Sequence, residues 1–204
     1  MDRHRLESKK EKTAMKRLAW IFALLILIGG TGYGQPKVGD PAGSATIINS
    51  KGEAVGSATL TQGPHSVTIA VEVSRLPPGL HGIHIHAIGK CDPPDFQTAG
   101  GHFNPFGKKH GLKAPEGPHA GDLPNLEVGP DGKGKIEGTV GGLTLGKEGL
   151  AVLLDSNGTA VVIHAGPDDE TTDPAGNSGA RIACGVIKSS GAIALPLMPM
   201  KEGS

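Results

Sequence analysis

From residue 44 onward, apolar and polar residues alternate in short runs broken by glycine and proline. In "SVTIAVEVSRL" the valines and isoleucine Val67, Ile69, Val71 and Val73 recur at every second position, which places them on one face of an extended strand. "SATIINS" and "EAVGSATLTQG" flank the turn pair Lys51-Gly52 and predict two further strands. "LHGIHIHAI", after the break "PPG", predicts a fourth. "LEVGPDGKGKIEGTV" predicts a hairpin that turns at Asp131-Gly132. "LAVLLDSNGTAVVIH" holds two short apolar runs around Asn157-Gly158, and "ARIACGVI" predicts a last strand. Two stretches lack any period: 89–125, rich in Gly and Pro, and the acidic "DDETTDPAGNSG". Loops of the first length are uncommon in a compact domain unless they carry function. Short strands at regular spacing with two long loops predict an all-β antiparallel sandwich or barrel.

The first 34 residues follow a different pattern. Seven basic and three acidic side chains in 1–17 precede the apolar run "LAWIFALLILIGG" and then small residues. That order predicts a signal peptide over 1–34, with an uncleaved N-terminal membrane anchor as the alternative. Either reading exports the remainder, to the periplasm, the cell envelope or beyond. Residues 35–43 read as a flexible entry, 44–187 as one domain, and 188–204 as a Pro-broken tail. Cys91 and Cys184 agree with export, because two cysteines in an oxidising compartment usually pair. A bond closing a loop of that size is worth about 4–5 kcal/mol in the chain-entropy model. Two free buried thiols are the alternative. The chain has 204 residues, 33 of them glycine and only six aromatic, which favours turns and short strands over long helices. From residue 35 the net charge is −4, with 13 basic and 17 acidic side chains, and no basic cluster predicts a nucleic-acid partner.

Chemistry enters with histidine. Six of the nine histidines fall in 84–164, together with one well-placed aspartate. His84 and His86 are two positions apart on a predicted strand, so both rings project to one side while Ile83 and Ile85 face the other. His164 ends the run "TAVVI"; alone it would read as structural, but beside His84 and His86 it offers a third nitrogen. His102, His110, His119 and Asp122 lie in the long loop, and three imidazoles with one carboxylate suit tetrahedral zinc. Metal binding would then order a segment that packing alone leaves loose. His102 completes both sets if each ring nitrogen takes a metal: His84, His86, His102 and His164 on one side, and His102, His110, His119 and Asp122 on the other. His81 is outside this count and is expected to be a hydrogen-bonded structural residue.

The segments "GLHGIHIHAIGKC", "GGHFNPFGKKHG", "GPHAGDLPN", "VVIHAGPDD" and "GNSGARIACGVI" resemble the copper/zinc superoxide dismutases, of the exported bacterial kind, over roughly 44–187. The resemblance implies an eight-stranded Greek-key β-barrel. It also implies one copper on His84, His86, His102 and His164, and one zinc on His102, His110, His119 and Asp122. A Cys91–Cys184 disulfide is implied too. The implied reaction dismutes superoxide anion to O₂ and H₂O₂, with His102 serving as ligand and proton carrier. Arg181 matches the family arginine beside the copper, where a fixed guanidinium would orient a small anion; an ordinary surface salt bridge is its alternative. Asp168 matches the carboxylate that links a copper histidine and a zinc histidine, here His84 and His110, with Asp169 as the neighbouring candidate.

One departure concerns the loop between His164 and Arg181. It is short and acidic (Asp168, Asp169, Glu170, Asp173) and has no lysine, so electrostatic guidance of an anion at that rim is in question. Two divalent metals add four charges and a bridging imidazolate removes one, which leaves the exported part near −1. A rival reading is an exported metal-binding or copper-delivery module without turnover. Oligomeric state is left open by the sequence, a homodimer included.

Overall fold

The computed structural model describes residues 42–190. The predicted export segment and most of the predicted tail lie outside the described residues. Ten strand segments follow one another: β1 (Ala42–Asn49), β2 (Ala54–Gln62), β3 (Ser66–Val73), β4 (Gly79–His81), β5 (Ile83–His86), β6 (Leu126–Val128), β7 (Gly134–Gly141), β8 (Ala160–His164), β9 (Arg181–Val186) and β10 (Lys188–Ser189). Among the described residues the one helical element is a 3₁₀ turn, Gln97–Ala99.

Every strand pairing is antiparallel. The hydrogen-bonded order is β4-β6-β7-β3-β2-β1-β9-β8-β5, with β10 also on β1. β4 and β5 stand at opposite ends of that path, yet only Gly82 separates them in the chain. The two edges of the sheet are therefore halves of one strand, and the sheet wraps round into a barrel, which removes exposed edges. β9 and β10 are likewise parted by Ile187 alone. Joining each of these two pairs turns ten segments into the eight strands predicted. From β3 the chain passes over β7 and β6 to reach β4, and from β7 it crosses to β8, so the connections are of Greek-key type.

The period-two pattern decides which side chains fill the barrel. Val67, Ile69, Val71 and Val73 of β3 are all buried in one cluster with Ile47, Leu60, Ile83, Ile85, Val161 and Ile163. β8 is buried on both faces, which accounts for its unbroken apolar run. Val161 and Ile163 point into the barrel, while Ala160 and Val162 join Phe96, Ala99 and Cys184 in a second cluster outside it. A Cys91–Cys184 disulfide fastens the start of the 89–125 loop to β9 beside that cluster. The first of the two apolar runs, "LAVLL", forms no strand. Between Gly149 and the Asn157-Gly158 turn it has room only for a paired contact with Thr144, through Thr144 N to Ala151 O and Leu153 N to Thr144 O. Its Ala151 and Leu153 seal the core beside Leu143 and Leu145.

Candidate metal centre

β5 places the site. Its four residues alternate as predicted: Ile83 and Ile85 are in the barrel core, and His84 and His86 face out. Both imidazoles are nonetheless buried, at 0% and 1% exposure, because the long loop folds over them. The loop is held there by backbone bonds: Phe103 N to Ile85 O (2.8 Å), Ile85 N to Gly121 O (2.8 Å) and Ala87 N to Gly101 O (2.9 Å). Phe103, Ala120 and Leu123 also reach the core. Much of the loop's order thus comes from pairing with β5 and from packing, more than its composition predicts. The pairing sets His102 opposite His86 and Asp122 opposite His84.

His84, His86, His102 and His164 offer ring nitrogens that all lie within 4.8 Å of one another. In each ring one nitrogen is buried with no hydrogen-bond partner: Nδ1 of His84 and Nε2 of His86, His102 and His164. The opposite nitrogens are engaged. His84 Nε2–H donates to Asp168 Oδ2 (2.7 Å), His86 Nδ1–H to the Gly100 carbonyl (2.9 Å), and His164 Nδ1–H to the Gly179 carbonyl (3.0 Å). Those bonds select the tautomer that leaves a lone pair on each unpartnered atom. Burial reinforces it. Desolvation carries His84 and His164 down to about 4 and His86 to about 2, so these rings are neutral near pH 7. Four buried lone pairs facing one point cost free energy unless something electrophilic satisfies them. The donor set fits a nitrogen-loving transition metal.

A second group lies on the far side of His102. Asp122 Oδ1 is 3.0 Å from His102 Nδ1, 3.1 Å from His110 Nδ1 and 3.4 Å from His119 Nδ1, and His119 Nδ1 is 3.3 Å from His102 Nδ1. Four ligands about 2.0–2.1 Å from a zinc ion in a tetrahedron stand ~3.3–3.4 Å apart, and these separations are close to that spacing. His84 also lies within reach of His102, His110 and Asp122. Its Nε2 is bonded to Asp168 and its free Nδ1 belongs to the first set, whereas His119 Nδ1 has Asp122 and His102 as its near neighbours. Burial pushes the Asp122 carboxyl up. The hydrogen bonds from His102 and the Gly111 amide, with the electrostatic influence of the His110 and His119 rings, outweigh it, holding the group at about 2 and ionised.

Asp168 joins the two groups. Its Oδ2 accepts from His84 Nε2–H and its Oδ1 accepts from His110 Nε2–H at 3.0 Å. Burial opposes its ionisation, but these bonds and one from the Glu170 amide hold it well below the usual carboxylate range. Asp169, the other candidate, turns away and caps the Thr171 and Thr172 amides. Asn125, which sequence reasoning passed over, clasps the Asp168 backbone at both ends, through Asn125 Nδ2 to Asp168 O (2.8 Å) and Asp168 N to Asn125 Oδ1 (2.7 Å). Gly176 is needed for the fit: a Cβ there would stand 1.7 Å from Asp168 Oδ1.

Among the described residues Arg181 has no salt-bridge partner. Its guanidinium donates to the carbonyls of Phe96 and Gly100, both at 2.7 Å. The Gly100 carbonyl therefore serves His86 and Arg181 at once, a link that no side-chain pattern announces. His81 is structural as expected, with its ring nitrogens against the carbonyls of His164 (2.7 Å) and Pro77 (2.8 Å).

With this geometry established, comparison with known proteins is direct. A family model described as copper/zinc superoxide dismutase matches residues 54–187. The chain belongs to the copper/zinc superoxide dismutase family. A Cu-Zn superoxide dismutase 1 from Aquifex aeolicus is 54% identical over 145 residues, spanning 71% of this chain and 86% of that one. Among solved structures, a superoxide dismutase-like protein from Bacillus subtilis superposes with TM-score 0.67 at 43% identity, covering 70% of this chain and 96% of that chain. The Cu/Zn superoxide dismutase from Brucella abortus gives TM-score 0.56 at 29% identity, covering 72% and 99%. The chain shares its all-β barrel fold with these two structures.

Proposed function

We propose that this protein removes superoxide by dismutation, converting two superoxide anions and two protons into O₂ and H₂O₂. The copper would be held by His84, His86, His102 and His164, and the zinc by His102, His110, His119 and Asp122. The observation that carries this reading is the set of four buried, unpartnered ring nitrogens converging beside His110, His119 and Asp122, which cluster around the other nitrogen of His102. When bound, copper supplies one-electron exchange in both directions, while zinc supplies charge and fixed geometry without redox chemistry.

The chain's own residues do the rest. His102 presents Nε2 to one group and Nδ1 to the other, so Nε2 can take a proton and pass it to the peroxide product while Nδ1 keeps the ring in place. Arg181 is anchored on two carbonyls and retains further N–H donors for a small anion. Asp168 keeps His84 and His110 oriented. A metal-binding module without turnover is the weaker reading, since all four nitrogens and the anchored arginine are in place.

Residues 1–34 would serve as a signal peptide or anchor, and the Cys91–Cys184 disulfide supports an oxidising, exported location such as the periplasm. Metal analysis of the purified protein paired with a superoxide assay tests the reading. The expected result is one copper and one zinc per chain with scavenging, and His164→Ala should lose copper, keep zinc and fall to background. Full metal loading with no scavenging above buffer would overturn the enzyme assignment. Loss of zinc with retention of copper in His164→Ala would overturn the division of ligands.

A further inference from the structure

The four proposed zinc ligands are not held alike. His102 and Asp122 lie on loop stretches whose backbones pair with β5. His110 and His119 lie on the part of the loop that makes no such pairing. The His110 amide instead donates to a side chain from the other loop, Asp173 Oδ1, at 2.9 Å. The same oxygen is 3.8 Å from His119 Nε2, the ring nitrogen that carries the proton when Nδ1 binds a metal. That separation is too long for a hydrogen bond but close for an anion facing an N–H. The bond from the His110 amide, the largest influence, holds the Asp173 carboxyl below its usual range, as does Lys109, whose Nζ is 3.2 Å from Oδ2.

We propose that Asp173 is a positioning residue of the zinc site: one carboxylate oxygen fixes the backbone at His110 and faces the outer nitrogen of His119. Asp173 thus adds a hold on the His110 backbone from the other loop, while the His119 and Gly111 amides donate to Asp122 Oδ2 (3.0 and 2.9 Å). Each of the acidic residues Asp168, Glu170 and Asp173 grips the zinc loop, Glu170 through Lys113 Nζ at 2.7 Å. The loop that looked like an unfavourable rim for an anion is the outer clamp of the zinc ligands. This inference rests on the zinc assignment above.

The test uses the full chain and zinc itself. Zinc affinity is measured by competition with a chromogenic chelator, and Co²⁺ placed in the zinc site reports ligand geometry through its visible bands. Asp173→Ala should bind zinc 10–100-fold more weakly, the usual cost of losing an outer partner, with shifted cobalt bands and unchanged copper content. Asp173→Asn keeps an oxygen for the His110 amide but loses the charge facing His119, so it should fall between Asp173→Ala and wild type. Lys109→Ala removes only the exposed ion pair and should stay within twofold of wild type. Zinc affinity within twofold of wild type and unshifted bands in Asp173→Ala would overturn the proposal, as would a lower melting temperature alone. If Asp173→Ala does not fold, wild-type affinity and bands in Asp173→Asn would overturn it. A wild type that binds no zinc, or a His119→Ala variant that binds it normally, would overturn the underlying zinc reading instead.

Discussion

At His102 the two ring nitrogens have different surroundings. Nδ1 is 3.0 Å from Asp122 Oδ1, and Nε2 is buried with no partner. The neighbouring rings of His84, His86 and His164 each have one nitrogen pinned by an oxygen and one left open. The open atoms are what make a metal site out of a histidine cluster. Arg181 belongs to this scale as well. Its carbonyl anchors leave the guanidinium fixed but not neutralised, so replacing it should affect substrate capture and not metal loading. Arg181→Ala is expected to lower the superoxide rate about 10-fold or more while copper and zinc content stay at wild type, as measured by kinetics beside metal analysis. An unchanged rate would leave Arg181 only its structural bonds to Phe96 and Gly100. Histidine, aspartate and arginine were legible in the sequence because their chemistry is carried by side chains. The Gly100 and Gly179 carbonyls were not, because any residue has a carbonyl and only the fold aims it.

Among the elements, β5 and the 89–125 loop act as a unit. The strand turns His84 and His86 outward, and the loop closes over them through its pairing with Ile85 and Ala87. The Cys91–Cys184 bond holds the loop's other end against β9, next to the stretch whose Phe96 and Gly100 carbonyls bind Arg181. Removing the bond should therefore act twice. Cys91→Ser with Cys184→Ser is expected to lower unfolding free energy by about 2–5 kcal/mol in denaturant titration. It should also reduce the superoxide rate by loosening Arg181, even where copper is retained. Strand positions followed from the period of the pattern, and β3 and β8 lie where the alternation and the apolar run put them. "LAVLL" did not, because five apolar residues bury equally well in a strand or in a short irregular plug. The loop's order was also underestimated, since a backbone bond to β5 needs no particular side chain.

For the whole molecule, the barrel that closes at Gly82 is held by strand pairing and an apolar core, so it is expected to stand without the metals. β4 and β5 bond to opposite neighbours, β6 and β8, and the core is apolar throughout. The two loops, by contrast, meet through charged and polar groups: Asp168 with His84 and His110, Asp173 with His110, and Glu170 with Lys113. Chelating the metals should then loosen one part and spare the other. Hydrogen exchange on the metal-free protein is expected to speed up in 104–120 and 165–180, with β2, β3 and β7 protected as before. The Phe103 and Gly121 amides should lie between, because they donate to Ile85 O of β5 and to Phe103 O beside it. Uniform loss of protection would show that the barrel itself depends on metal.

By themselves, the residues of this chain determined the class of fold, the inward faces of its strands, the ligand types and the family. These are properties of spacing, side-chain chemistry and motif, all of which are local in sequence. The tertiary structure decided which nitrogen of each ring is free and which oxygen holds the other. It also decided that Arg181 rests on carbonyls and not on a carboxylate, and that Asp173 reaches His110 from 63 residues away. Those facts depend on where the backbone of one loop passes relative to another. A strand period or a histidine spacing does not encode that. It is set when the barrel closes at Gly82 and brings both loops over the outer face of β5.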